Sequence, residues 1–118
     1  MPTAIETGRR GERIAAALLE ARGWKVIGSG FLARRGEIDL ICRDGARLVM
    51  VEVKTRTSAT FGAPAEAVGV RKRRALGAAA AEYRALAGWR GPIDFAVIAL
   101  KLDREGEVTS VELIEDPF

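Results

Sequence analysis

The amino-acid sequence predicts an α/β domain in which helices flank a mixed central sheet, and three observations carry that prediction. Two runs rich in Val, Ile and Leu, Ile38 to Cys42 and Leu48 to Val53, flank the pair Asp44-Gly45, a strong short-range hairpin signal. Two segments with apolar residues at helical spacing, Glu12 to Arg22 and about Val68 to Ala87, stand one on each side of that hairpin. Two further apolar runs, Ile93 to Leu102 and Glu107 to Ile114, are joined at Asp103 to Gly106 and read as a second hairpin. Helix, strand, hairpin, helix and two strands bury their apolar faces most simply as one mixed sheet with helices packed against it.

The first helix presents Ile14, Ala15, Leu18 and Leu19 as one stripe, and Gly23 stands where a left-handed C-cap is expected. Its start has two solutions. Thr3 with Glu6 has capping-box spacing, whereas Thr7 would cap a shorter helix, and Gly8 with Gly11 weakens the longer one. Glu12 precedes Ala15, Ala16 and Leu19 by three, four and seven residues, so it lies on or beside the apolar face. Spacing alone fits an edge glutamate with its head in solvent. Trp24 to Ile27 then reads as a strand, Gly28-Ser-Gly-Phe as a flexible link, and Arg34-Arg35-Gly36 as the approach to the hairpin.

Thr55 to Pro64 shows neither period and reads as a loop with Phe61-Gly62 at its middle. The second helix places Leu76, Ala79, Ala80, Tyr83 and Leu86 on one face and stops at Gly88. Its first turn holds Arg71, Lys72, Arg73 and Arg74 in succession at the positive end of the helix dipole, each unfavourable by up to ~1 kcal/mol. A phosphate would supply the missing negative charge. A solvated basic turn has the same composition. Lys72, four residues before Leu76, leans toward the core side of that turn.

Composition narrows the chemistry. At 118 residues the chain makes one domain able to bury a core without staples. No histidine is present, which removes Ser-His and Cys-His nucleophiles and histidine metal sites. The lone cysteine, Cys42 inside an apolar run, suits a small core residue and a reducing compartment. Net charge is a mild +3. Met1 to Thr7 lacks a leader pattern and no uncharged apolar stretch reaches the ~18 residues of a membrane span, so a soluble cytoplasmic protein is expected, with no membrane partner.

The functional clue is a conflict inside the hairpin. Asp39, Glu52 and Lys54 interrupt runs otherwise built for a sheet interior, where an uncompensated charge costs several kcal/mol or shifts its pKa. Alternation puts Glu37, Asp39 and Ile41 on one face of the first strand and Met50, Glu52 and Lys54 on one face of the second. A two-residue turn at Asp44-Gly45 would pair Asp39 with Met50; a four-residue loop from Asp44 to Arg47 would set Asp39 opposite Glu52. Both registers bring the acids together. Two neighbouring carboxylates repel, and a hard divalent cation such as Mg²⁺ relieves the repulsion. Lys54 would then stand beside the ion with its ammonium toward an attacking water or a phosphate oxygen.

An acid followed, after a short loop, by Glu-x-Lys at the end of an apolar strand resembles the signature of the PD-(D/E)XK nuclease superfamily. Gly8, Glu12, Ala15, Leu19 and Gly23, then Gly36-Glu-Ile-Asp-Leu-Ile, then Val51-Glu-Val-Lys-Thr-Arg, then Phe61-Gly, Val68 and Lys72 resemble the YraN-like proteins, small bacterial members of that superfamily similar to archaeal Holliday-junction resolvases. The resemblance spans most of the chain. It implies a restriction-endonuclease-like fold and a Mg²⁺- or Mn²⁺-dependent endonuclease hydrolysing DNA, branched or junction DNA included. By the same resemblance Asp39 and Glu52 hold metal, Lys54 orients the water, and Glu12 supports the metal or its waters; the Val53 carbonyl is a further candidate ligand, since alternate oxygens around Glu-x-Lys can face the ion. Arg35, Arg56, Lys72, Arg73 and Arg74 would hold phosphates, and a symmetric junction would suit a homodimer. Two departures stand out: Ser29 or Gly30 occupies the place of a usual asparagine, and Ile93-Asp94-Phe95 that of a usual Arg-Phe-Asp, which leaves Asp94 open between a site role and a turn cap. The competing expectations are a nucleic-acid-binding module of the same fold without turnover and a structural partner in a DNA-processing complex.

Overall fold

The structure, a computed structural model, describes residues 3–57 and 70–117. Helix α1 (Ala4–Arg22) takes the longer of its two starts: Thr3 Oγ1 accepts the Glu6 N–H at 3.1 Å, and Gly23 closes the helix at φ 104°. Gly11 explains why a poor helix former is tolerated there. A Cβ at that position would stand 2.0 Å from Thr55 Oγ1, so the glycine is where α1 comes down onto the sheet.

Five strands follow in a single sheet whose spatial order is its sequence order: β1 (Lys25–Leu32), β2 (Glu37–Asp44), β3 (Arg47–Thr57), β4 (Ile93–Leu102) and β5 (Val108–Glu115). Neighbours are antiparallel except β3 and β4, which run parallel because α2 (Val70–Ala87) lies in the crossover between them. Ala15, Leu19 and Trp24 pack with Leu40, Cys42, Val49, Val51, Ile98 and Leu100 on the α1 side. Ala79 and Ala80 of α2 pack with Ile38, Ile41, Leu48 and Met50 on the other. Both faces of the central strands are thus covered, which is why β3 and β4 read as nearly unbroken apolar runs. Cys42 is one of these core residues, and burial, with Glu20 adding to it, pushes its thiol up to about 11.

Three boundaries differ from those expected. The glycine-rich link after Ile27 is part of β1: a bulge between Val26 and Gly28 and a positive φ of 61° at Gly30 let the strand continue to Leu32 against β2. In the hairpin the closing pair is Asp44 with Arg47, so the turn residues are Gly45, at φ 61°, and Ala46. Residues Thr55 to Thr57, expected in a loop, extend β3, because parallel β4 supplies partners as far as Leu102. Tertiary pairing overrode a segment without strand periodicity. Helix α2 is described from Val70 onward; Val68, where the spacing starts it, and residues 58–64 with Phe61-Gly62 lie outside the described residues. No helix among those described is long and apolar enough to cross a membrane.

Candidate active site

The hairpin register decides what meets what. Pairing of β2 with β3 runs from Asp44 opposite Arg47 to Leu40 opposite Val51, which puts Asp39 and Glu52 at the next rung. That rung is not an ordinary one. Asp39 Oδ2 accepts the Val53 N–H at 2.8 Å, so a side chain continues the ladder where backbone pairing stops. Side-chain alternation also breaks here: Ile38 and Ile41 both pack in the α2-side layer, whereas Leu40 and Cys42 pack in the α1-side layer. Because the Val53 N–H points toward β2, its carbonyl points the same way, into the region that the ladder has left.

Asp39 and Glu52 wall one cleft of about 490 Å³, together with Gly36 and Glu37 from the start of β2 and Arg71, Lys72, Ala75 and Leu76 from α2. Arg35 and Arg71 separate it from a second hollow of about 380 Å³ lined by Arg35, Arg71, Arg74 and Ala75. Gly36 makes this junction close: a Cβ there would stand 3.2 Å from both the Cβ and the carbonyl oxygen of Ala75. The chain before β2 is therefore drawn against α2, bringing Arg35 to the arginines of the helix.

The charges are unevenly matched. Glu52 is only 5 % exposed, yet its Oε1 has two ammonium partners: Lys54 Nζ at 3.5 Å and Lys72 Nζ in direct contact. Asp39 accepts the Val53 N–H and, among the described residues, forms no ion pair within contact distance, though Lys72 feels its charge. Burial, reinforced by the carboxylates of Glu52, Glu12 and Glu37 against the opposing Val53 N–H, pushes its pKa up to about 6. Glu12, half-buried on α1, is likewise raised, first by burial, then by Glu37 and more weakly by Glu52, with Arg9 opposing. Glu12, Glu37, Asp39 and Glu52 thus form one electrostatic group drawn from three elements. Lys54 is lowered, by burial first and then by Lys72, while contact with Glu52 raises Lys72 against the effect of burial.

Of the residues singled out in the sequence, Asp39, Glu52, Lys54 and Lys72 come together, with Glu12 close enough to be felt. Arg35 lines both hollows and Arg74 the second. Arg56 lies two residues beyond Lys54 on β3, opposite Lys101 of β4, and Arg73 is exposed on α2; neither lines the cleft. Asp94 is placed elsewhere. It sits opposite Val49, three rungs back along β3 from Glu52, and accepts a 3.0 Å bond from Arg47, which also holds Asp44 and Glu115. Glu37 and Arg71 were not assigned roles from the sequence. Alternation from Asp39 already marked Glu37; nothing local distinguished Arg71 from its basic neighbours.

The donor set suits a hard cation. No three acidic or thiol side chains converge as a ready metal cage among the described residues. Mg²⁺, however, is commonly held by one or two carboxylates with waters and substrate phosphate completing its shell. Two carboxylates, the Val53 carbonyl on the side of Asp39 and an ammonium already resting on Glu52 fit that description.

Comparison with known proteins agrees with this architecture. The model of the uncharacterised protein family UPF0102 matches residues 11–100, a span holding Glu12, Asp39, Glu52, Lys54 and Lys72. The chain is 41% identical over 112 residues to a UPF0102 protein of Moorella thermoacetica, covering 94% of this chain and 93% of that protein. It is 46% identical over 94 residues to one from Anaeromyxobacter dehalogenans, covering 79% and 70%. It is 35% identical over 115 residues to one from Caldicellulosiruptor bescii, covering 96% and 97%. The chain therefore belongs to the UPF0102 family, the YraN-like proteins that its motifs resemble.

Proposed function

We propose that this protein is a divalent-metal-dependent nuclease that hydrolyses phosphodiester bonds in DNA. The observation that carries the reading is the shared cleft: Asp39 and Glu52 wall it together, with Lys54 on Glu52 and arginines along one side. Asp39, Glu52 and the Val53 carbonyl would hold Mg²⁺ or Mn²⁺, and Glu12 would steady waters at its edge. Such an ion supplies Lewis-acid stabilisation of the negative charge that builds on phosphorus oxygens.

The chain's own residues do the rest. Arg35 and Arg74, with Arg56 and Arg73 farther out, draw the phosphate backbone to the rim, where contacts are insensitive to sequence. Lys54, its Nζ 3.5 Å from Glu52 Oε1, would orient the attacking water beside the ion. In its charged form the same group stabilises charge on the phosphate. No histidine competes for either role.

A divalent-ion screen of cleavage on single-stranded, duplex, flap and four-way DNA tests the proposal. Product that requires Mg²⁺ or Mn²⁺ and falls by two orders of magnitude or more in Lys54→Ala is expected. Equal product from wild type and Lys54→Ala would remove the assignment. The pairing of Glu52 with Lys72 favours one other reading, a DNA-binding module whose carboxylate is already neutralised. That module would bind DNA in a salt-dependent way, unchanged by Asp39→Asn, and would yield no metal-dependent product on any of the four substrates.

A further inference from the structure

Resting on the reading just given, we propose that Lys72 is a built-in stand-in cation: its ammonium holds Glu52 until a divalent ion displaces it, and the released side chain then takes a substrate phosphate. Three features of the cleft lead there. Lys72 Nζ and Lys54 Nζ address the same oxygen, Glu52 Oε1. Glu52 is fixed in the sheet, its side chain 7% exposed, whereas the Lys72 side chain is 39% exposed and projects from the first turn of α2; the lysine is the partner able to move. Arg35 and Arg71 line the same cleft beside it, so a phosphate drawn into that positive field arrives where the released ammonium can reach.

A divalent ion on Glu52 Oε1 would take the place of the Lys72 ammonium in direct contact with that oxygen and repel it, so those two contacts exclude one another, whereas Lys54, at 3.5 Å, leaves room for the ion. Occupying the carboxylate with metal therefore releases one cation for phosphate, and by linkage phosphate binding strengthens metal binding by the same factor. In the metal-free protein the contact keeps Glu52 neutralised and withholds one phosphate ligand. Lys72 acts through Glu52 and the phosphate, and is a positioning residue.

Two measurements on the full chain test this. In calorimetric Mg²⁺ titrations, Lys72→Met binds at least about fivefold tighter than wild type, the low end of ordinary coupling between sites. Arg71→Met, which removes a charge from the same cleft wall without touching Glu52, stays close to wild type. In DNA-binding titrations against KCl, the slope of log K on log salt is steeper by about one for wild type than for Lys72→Met when Ca²⁺ is present. The two slopes agree when it is absent. Equal or weaker Mg²⁺ binding by Lys72→Met, or equal tightening by Arg71→Met, overturns the inference; the latter would reduce it to a general field effect. Metal binding that disappears in Asp39→Asn yet ignores Lys72→Met leaves the metal site standing and removes Lys72 alone. No divalent binding by any variant removes both.

Discussion

Asp39 and Glu52 carry the same charge into one cleft but should answer its removal in opposite ways. Asp39 has a pKa of about 6 in the fold against 3.8 outside it, so the native state holds the proton more tightly. Its contribution is therefore most favourable below about pH 4 and is lost as pH rises through 6. Asp39→Asn keeps an oxygen for the Val53 N–H and abolishes the charge. In metal-free buffer its melting temperature should exceed that of wild type above pH 6, with the gap closing toward pH 4. A gap independent of pH would mean that Asp39 is not the group being desolvated. Glu52→Gln should instead destabilise, because Lys54 and Lys72 would be left facing an amide. A fully buried pair broken this way costs about 3–5 kcal/mol; with Lys72 partly in solvent, roughly 1–2 is expected from urea unfolding.

At the level of elements, the site depends on how closely α1 and α2 approach the sheet. Gly11 sits against Thr55, and the next residue, Glu12, joins the acidic group. Gly11→Ala gains up to ~1 kcal/mol of helix propensity but forces α1 away from β3, for a net loss of about 1–2 kcal/mol. Gly8→Ala, one turn earlier with nothing within 4 Å of its new methyl, should stabilise by about 0.5–1 kcal/mol. Denaturant midpoints of the two variants, shifted in opposite directions, check this; a shift of the same sign would mean that α1 is not pinned at Gly11. The basic first turn of α2 also finds its compensation in part: Lys72 meets Glu52, which lies 20 positions earlier in the chain but in direct contact with it in the fold.

Across the whole molecule, the sheet keeps two charged groups apart along β3. Near the hairpin turn, Arg47 binds Asp44, Asp94 and Glu115 and stacks over Trp24 with its guanidinium 5.4 Å from the ring centre. Farther along β3 lie the unevenly neutralised acids of the cleft. In the first group every carboxylate is in contact with Arg47; in the second, Glu52 meets Lys54 and Lys72 while Asp39 accepts a backbone N–H. Mg²⁺ or Mn²⁺ should stabilise the protein by ~2.7 kcal/mol at a hundredfold excess over its dissociation constant. Thermal melts should show that gain intact in Arg47→Ala, which lowers stability on its own account, and lost in Asp39→Asn. An ion-induced shift unaffected by Asp39→Asn would place the cation elsewhere.

The local pattern of the chain determined the elements and the acids at the heart of the site. Apolar periods marked both helices and all five strands, and Asp39, Glu52 and Lys54 betrayed themselves as charges where a sheet interior tolerates none. Both hairpin registers converged the acids, so their meeting did not depend on the turn. Only the tertiary structure decided the rest. Thr55 to Thr57 became strand because β4 runs alongside them, and the glycines of β1 stayed in the sheet because β2 holds them there. Asp94 was claimed by Arg47 three rungs from Glu52, and Lys72, which its spacing already set toward the core side, found its partner in Glu52. The physical reason is the range of the interactions: periodicity and turn chemistry act over a few residues and are written locally, whereas ion pairs and strand partners depend on which distant segments the core brings into contact.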